Sequence, residues 1–220
     1  MAIRMRRPLL AAGLVLYFAA IRPWLLGWGA TGQERRQPLP GDDLVPARWQ
    51  TTRAITIGAP SDEVWPWLVQ MGYGRGGWYS YDWLERRAGA GDFAEGGSAR
   101  RVIPELQPLA TGDTVALSPA GGLIVAVLDP SRALVLRYRM SLLTAAPARE
   151  ADWAIFDWTW AFVLTTVDEG SCRLVVRVRA DYRPRWLLPL LPFLLEPAHF
   201  IMERKMLKTI EQRARRGSAP

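Results

Sequence analysis

The stretch Thr51–Glu85, TTRAITIGAPSDEVWPWLVQMGYGRGGWYSYDWLE, decides the fold. Thr51 to Ile57 is rich in β-branched residues and is bounded by Gly58 and Pro60, the composition of a strand. Ser61 reads as an N-cap, with Asp62 and Glu63 in the first helical turn. Val64, Trp65, Leu68 and Met71 then recur at helical spacing, and Gly72 ends the helix. A turn carrying Gly72, Gly74, Gly76 and Gly77 leads into an aromatic cluster of Trp78, Tyr79, Tyr81 and Trp83. This turn lacks the lysine of a P-loop and the strand–glycine–helix order of a dinucleotide fingerprint, so it is read as a turn and not as a phosphate cradle.

Downstream, a short helix over Asp82 to Ala88 and a flexible glycine-rich loop over Gly89 to Ser98 precede a run of strands. These are Asp113–Leu117, Leu123–Leu128, Ala133–Met140, Asp157–Thr166 and Cys172–Tyr182, with Asp168-Glu169-Gly170 as a hairpin turn. In the last strand Arg173, Arg177 and Arg179 share one face, and Cys172, Leu174, Val176 and Val178 the other. In its partner Trp158, Trp160, Phe162 and Leu164 share a face. The alternation predicts an antiparallel sheet with one solvated face. Glu196-Pro197 opens a closing helix, with proline at its first position. At about 100° per residue, His199, Met202, Glu203, Met206, Ile210 and Ala214 fall on one face of it.

The order of strand, APSDEVWPWLVQ helix and GRGGWYSYDWLE resembles the START-related superfamily, SRPBCC, which includes polyketide cyclase/dehydrase-like proteins and lipid-transfer domains. Trp28-Gly29-Ala30-Thr31, Leu39-Pro40-Gly41-Asp42, Ile103-Pro104-Glu105-Leu106-Gln107, Gly112-Asp113 and the run Glu196 to Leu207 fit the same resemblance, which spans about Trp28 to Arg215. It implies an α+β helix-grip fold, a curved antiparallel sheet wrapped around the C-terminal helix, with room for a cavity between them. It also implies two functional readings, binding or transport of a lipid-like or polyketide-like molecule and cyclase or dehydratase chemistry; a third, a structural domain whose cavity is filled by tryptophans, stands beside them.

Composition narrows the choice. The chain has 220 residues, enough for one domain, and half of it is hydrophobic, with 11 tryptophans. The net charge of +7 invites a nucleic-acid partner. The basic residues are nearly all arginine, several sit in the two tails, and no RNA-binding aromatic motif accompanies them, so no nucleic-acid partner is expected. One cysteine, Cys172, excludes an intrachain disulfide and reads as a buried small apolar residue. One histidine and one cysteine leave no protein-only transition-metal site, and no cofactor is implied.

The sequence divides into residues 1–31, a hydrophobic helix, residues 32–49, an irregular linker, residues 50–216, the helix-grip domain, and residues 217–220, a tail. Arg4, Arg6 and Arg7 precede the apolar run, and only Arg22 interrupts it between Pro8 and Ala30. With Trp24 and Trp28 at headgroup level this predicts a single-pass membrane anchor of unset orientation. A signal peptide and a soluble helix packed on the domain are the alternatives. The apolar run Trp186 to Leu195, broken by Pro189 and Pro192, reads as a packed connection, as a gate over the cavity or as a patch that touches membrane.

Candidate site residues follow from chemistry and position. His199 and Glu203 lie four apart on the closing helix, so they can meet as a polar anchor or an acid–base pair. The bland alternative holds Glu203 with a strand arginine. Trp78, Tyr79, Tyr81, Asp82 and Trp83 would stand near the cavity mouth of the resembled fold, and Asp82 is the residue that packing explains least. Glu105 stands at a strand entrance. Trp158, Trp160, Met202 and Met206 line the cavity or fill it. The candidate proton-transfer groups are Asp82, His199 and Glu203. The expected partner is a hydrophobic small molecule.

Overall fold

The computed structural model describes residues 12–187 and 191–217. Six antiparallel strands form one sheet in the order β1-β6-β5-β4-β3-β2, where β1 is Trp49–Ile57, β2 Thr114–Ser118, β3 Gly121–Asp129, β4 Ala133–Ser141, β5 Ile155–Asp168 and β6 Ser171–Arg183. All five strands expected after the aromatic cluster are present, each within two residues of its expected ends. The register slips between Ala116 and Ser118, between Val125 and Val127, and between Thr166 and Asp168. Such bulges bend a strand and raise its twist, which curves the sheet.

Besides the helical residues 12–16, the described residues include α1 Arg22–Gly27, α2 Gly32–Arg36, α3 Ser61–Val69, α4 Asp82–Arg87 and α5 Leu191–Gly217. Helix α5 lies in the concave face of the sheet, and the result is a helix-grip fold. Ile57, Phe162, Leu174, Val176 and Val178 from the sheet close a buried core with Leu68 of α3 and Met206, Leu207 and Ile210 of α5. The pairing of Ile57 with Cys172, Ile55 with Leu174 and Arg53 with Val176 fixes which residues face that core.

Two helix starts differ from expectation. Pro60 is the N-cap of α3, in extended geometry, and Ser61 is its first helical residue. The Ser61 hydroxyl is turned to the Cys172 thiol instead of capping the backbone. Helix α5 begins at Leu191, so Pro192 takes the second helical position, where its missing N–H costs nothing, and Pro197 lies within the helix. The reading of Trp186 to Leu195 as a gate falls largely on residues 188–190 and on side chains at 187 and 191–194, outside the described residues.

The N-terminal reading is corrected. Among the described residues no helix is long and apolar enough to cross a membrane, so a single-pass anchor does not stand. The local structure gives the reason. The helical run changes to a π turn over Tyr17–Ile21 and ends at Gly27, after which Trp28 leaves helical geometry with ψ 126° and Gly29 takes φ 71°. At Gly29 a side chain would strike the backbone oxygen of Ala54 in β1, so close approach to the sheet also demands glycine. Arg22 is drawn inward: its Nε and Nη2 each donate to the carboxylate of Glu196 at 2.8 Å, and Glu196 is fully buried. Leu25 and Gly27 are buried as α1 packs on β1 and α5.

The face of β6 expected to be solvated is covered by the segment expected to be an irregular linker. Ala30, Leu39, Ala54 and Val175 form a second apolar cluster there, with Val163 against it. Arg177 is only 2% exposed. It donates to Thr52 Oγ1 at 3.0 Å, to Asp42 Oδ2 at 2.6 Å, and to the carbonyls of Gln37 at 2.9 Å and Glu34 at 2.6 Å. Arg173 meets both carboxylate oxygens of Glu34, at 2.8 and 3.0 Å. Thr31 caps α2 and completes a capping box with Glu34.

Candidate functional site

Arg53 stands on the concave face of β1, in the same row as Ile55 and Ile57, and is completely buried. A guanidinium there needs an opposing charge, because an uncompensated buried charge is costly; Nη1 and Nε find partners and Nη2 has none. Arg53 Nη1 donates to Glu203 Oε2 and to His199 Nδ1, the latter at 2.9 Å, and Nε donates to the carbonyl of Leu25 at 2.8 Å. The Trp160 indole N–H donates to Glu203 Oε1 at 3.0 Å. Both carboxylate oxygens of Glu203 are therefore engaged.

A guanidinium only donates, so His199 Nδ1 accepts and the ring proton resides on Nε2, 3.5 Å from Glu203 Oε1. Burial lowers the His199 pKa to about 4, with Glu203 and Glu196 pulling it back up and Arg53 pushing it further down. The imidazole is neutral at pH 7. One turn earlier on α5, Glu196 takes Arg22 and the indole N–H of Trp49, at 2.8 Å. Two carboxylates of one helix are thus each held by an arginine and a tryptophan.

Beside this network lies a partly enclosed cavity of about 210 Å³. Helix α5 contributes His199, Met202, Glu203 and Met206; β5 contributes Trp158 and Trp160; β2 contributes Leu117. The turn before α4 contributes Trp78 and Ser80, and α4 with the residues after it contributes Glu85, Ala88 and Ala90. Trp78 and Trp160 stack at 5.4 Å between ring centres.

Tyr79 explains how the turn reaches the cavity twice. Its φ is 57°, in the left-handed region where residues with a side chain are uncommon. Its ring is buried in the core, where its hydroxyl accepts from Gln70 Nε2 at 2.9 Å and Arg213 lies over its face at 4.5 Å. Trp78 and Ser80, on either side, both line the cavity. Burial raises the Tyr79 pKa.

The remaining candidates stand elsewhere. Asp82 accepts from Ser98 N–H at 3.0 Å and from the Ser98 hydroxyl at 2.6 Å, tying the glycine-rich loop to the start of α4. Tyr81 is the N-cap of that helix and stands 6.5 Å from the ring of Trp83, which is 64% exposed. Glu105 is exposed in a short 3₁₀ turn, Pro104–Leu106. The structure therefore gathers Trp78, Trp158, Trp160, His199, Met202, Glu203 and Met206 and leaves Tyr79, Tyr81, Asp82, Trp83 and Glu105 off the cavity wall.

Sequence reasoning overlooked Arg53, Ser80 and Glu85. Strand alternation carries the signal for Arg53, since it shares a parity with Ile55 and Ile57. Glu85 had no such signal: in a short helix following an aromatic cluster, Trp83 was the natural inward residue. Here Glu85 is 2% exposed. Its Oε1 accepts from Ser80 N–H at 3.3 Å. Burial, then the neighbouring Asp82, raise its pKa to about 7, against the pull of the Trp78 and Ser80 amides and of Arg86.

No family model matches the chain, and no curated protein matches it. Solved structures resemble it at low identity. Protein MLL2253 from Mesorhizobium loti shares 14% identity, covering 78% of this chain and 100% of that one, with a TM-score of 0.45. Protein NE0264 from Nitrosomonas europaea shares 11%, over 80% of this chain and 100% of that one, at 0.45. Norcoclaurine synthase from Thalictrum flavum shares 11%, over 83% and 94%, at 0.38. Likeness at this level says nothing about ligand or chemistry.

Proposed function

We propose that the chain is a START-related binding protein that holds a small, largely apolar molecule between its sheet and α5. The observation that carries this reading is the cavity of about 210 Å³ walled by Trp78, Leu117, Trp158, Trp160, Met202 and Met206. Apolar walls with a few fixed polar groups are what a small-molecule site requires. Size narrows the occupant. An apolar cavity of about 150 Å³ accepts benzene, so this one suits a single ring with a short substituent and not a whole two-chain lipid. Both carboxylate oxygens of Glu203 are taken up by Arg53 and Trp160, which supports a rigid wall over a proton-transfer pair.

The test is uptake of ethylbenzene by the full chain, followed by NMR of the tryptophan indole N–H signals. Saturable shifts are expected. Ala90→Trp, which places an indole in the cavity, is expected to abolish them while the circular dichroism spectrum is retained. No shift in the unsubstituted protein, or unchanged uptake in the filled variant, defeats the reading.

A further inference from the structure

The N-terminal helical run leaves its apolar side chains in the open. Leu14, Val15 and Leu16 are 50%, 67% and 59% exposed, and Ile21 and Trp24 follow at 42% and 54%. Successive residues of a helix point about 100° apart, so three exposed neighbours mean that the run stands clear of the domain on most sides. A helix that is apolar all round is normally buried, and an exposed apolar stretch of this kind marks a contact with something else. The domain holds the run through α1: Trp24 packs on Phe200 of α5 at 5.0 Å between ring centres, and Arg22 is tied to Glu196.

Two further pieces of surface continue it. Arg22 and Glu196 act electrostatically on both Tyr17 and Tyr182, so the end of β6 and the turn Arg185–Leu187 after it stand beside the run. Trp186 in that turn is exposed, and so are Arg183 and Arg185. On α5, Arg204 lies over the ring of Trp28 at 5.2 Å, and Ile201, Lys205 and Lys208, at helical spacing, are turned to solvent. Arg183, Arg185, Arg204, Lys205 and Lys208 therefore border the apolar segment. No carboxylate opposes them. The sequence has no Asp or Glu before Glu34, and between Tyr182 and Ile210 it has only Glu196 and Glu203, which are buried and paired with Arg22 and Arg53. Arg4, Arg6 and Arg7 precede the run in sequence and carry the same sign.

These features select the occupant. A second copy of the chain would bring the same cations to the contact and be repelled. A groove on another protein covers one side of a helix and leaves the rest of this run in water. A bilayer with anionic headgroups surrounds an apolar helix and attracts the cations at its border. Residues 12–21 extend about 15 Å, half of the ~30 Å hydrocarbon core, so the run fits within one leaflet. We propose that residues 12–24, the turn at Trp186 and the outer stripe of α5 form a docking surface for an anionic phospholipid bilayer. The protein sits on the bilayer and does not cross it. The docking surface is separate from the cavity wall and needs no ligand in the cavity.

The experiment is flotation of the full chain with vesicles of phosphatidylcholine alone and with vesicles that also contain phosphatidylglycerol. The protein is expected to bind the anionic vesicles at least about tenfold more tightly, and to leave them in high salt, which screens the headgroups. Lys205→Gln with Lys208→Gln, both at exposed positions, should weaken binding to anionic vesicles about tenfold without changing the circular dichroism spectrum. Leu16→Asp, which puts a charge on the apolar run, should weaken it about as much. Equal binding to the two kinds of vesicle, or retention through high salt and an alkaline carbonate wash, overturns docking on an anionic surface. So does unchanged binding in both variants, which would assign the contact to another part of the chain. Sedimentation of the full chain without vesicles tests the rival occupant: a self-associated form that Leu16→Asp disperses, with no vesicle binding, would give the face to a second copy.

Discussion

Arg53 and Glu203 form the most demanding contact in the protein, because neither side chain reaches water: their exposures are 0% and 1%. Taking two charges from water is expensive, and their attraction repays it only with good geometry and further hydrogen bonds. Here those come from Trp160, His199 and Leu25. Removing one partner strands the other. Arg53→Met or Glu203→Leu is therefore expected to cost about 3–5 kcal/mol in urea unfolding, whereas the two changes together should cost clearly less than their sum. Additive losses in the cycle would mean that the two residues act independently. The same scale shows where sequence reading stops. Period two in a strand reveals Arg53 on the inner face, and helical spacing brings His199 toward Glu203. The inward turn of Glu85 depends on a left-handed Tyr79 and on Asp82 being taken up by Ser98, and neither leaves a mark in local pattern.

At the scale of elements, the strands were legible because each carries its own alternation and its own turn residues, as in Asp168-Glu169-Gly170. The role of residues 28–45 was not legible, because their contacts are long-range and polar. Nothing near Leu39-Pro40-Gly41-Asp42 announces that Asp42 reaches Arg177 across the sheet. The arginines of β6 looked like a solvated row for the same reason: alternation gives the face, and only tertiary packing tells whether that face is covered. Arg177 carries this layer. Arg177→Met takes its guanidinium from Asp42, which keeps the Leu39 amide and Arg179, and from two backbone carbonyls, and is expected to destabilise the protein by about 3 kcal/mol. It should also expose the bonds after Arg35 and Arg36 to trypsin well before the sheet itself is cut. Cleavage at Arg35 and Arg36 at the unsubstituted rate, with stability unchanged, would show that the layer is held by its apolar cluster alone.

Across the whole molecule, the two perturbed groups of the cavity oppose each other in pH. His199 has its pKa lowered from 6.5 to about 4, so the folded state binds fewer protons than the unfolded one between those values. Its contribution to stability is present above pH 6.5 and is lost as pH falls toward 4. Glu85 has its pKa raised from 4.5 to about 7, so the folded state binds more protons across that range. Its burial is tolerated below pH 4.5 and increasingly destabilises the fold as pH rises toward 7. The windows nearly coincide and the slopes have opposite sign, so the cavity as a whole adds little pH dependence near neutrality. Single substitutions uncover each half. Relative to the unsubstituted chain, Glu85→Gln should gain stability steadily from pH 4.5 to 7. His199→Asn, whose side-chain oxygen can still accept from Arg53, should show the reverse, losing ground as pH rises from 4 to 6.5. Urea midpoints for the three proteins at pH 4.5, 5.5, 6.5 and 7.5 measure both slopes. Parallel curves would place both groups in water-like surroundings.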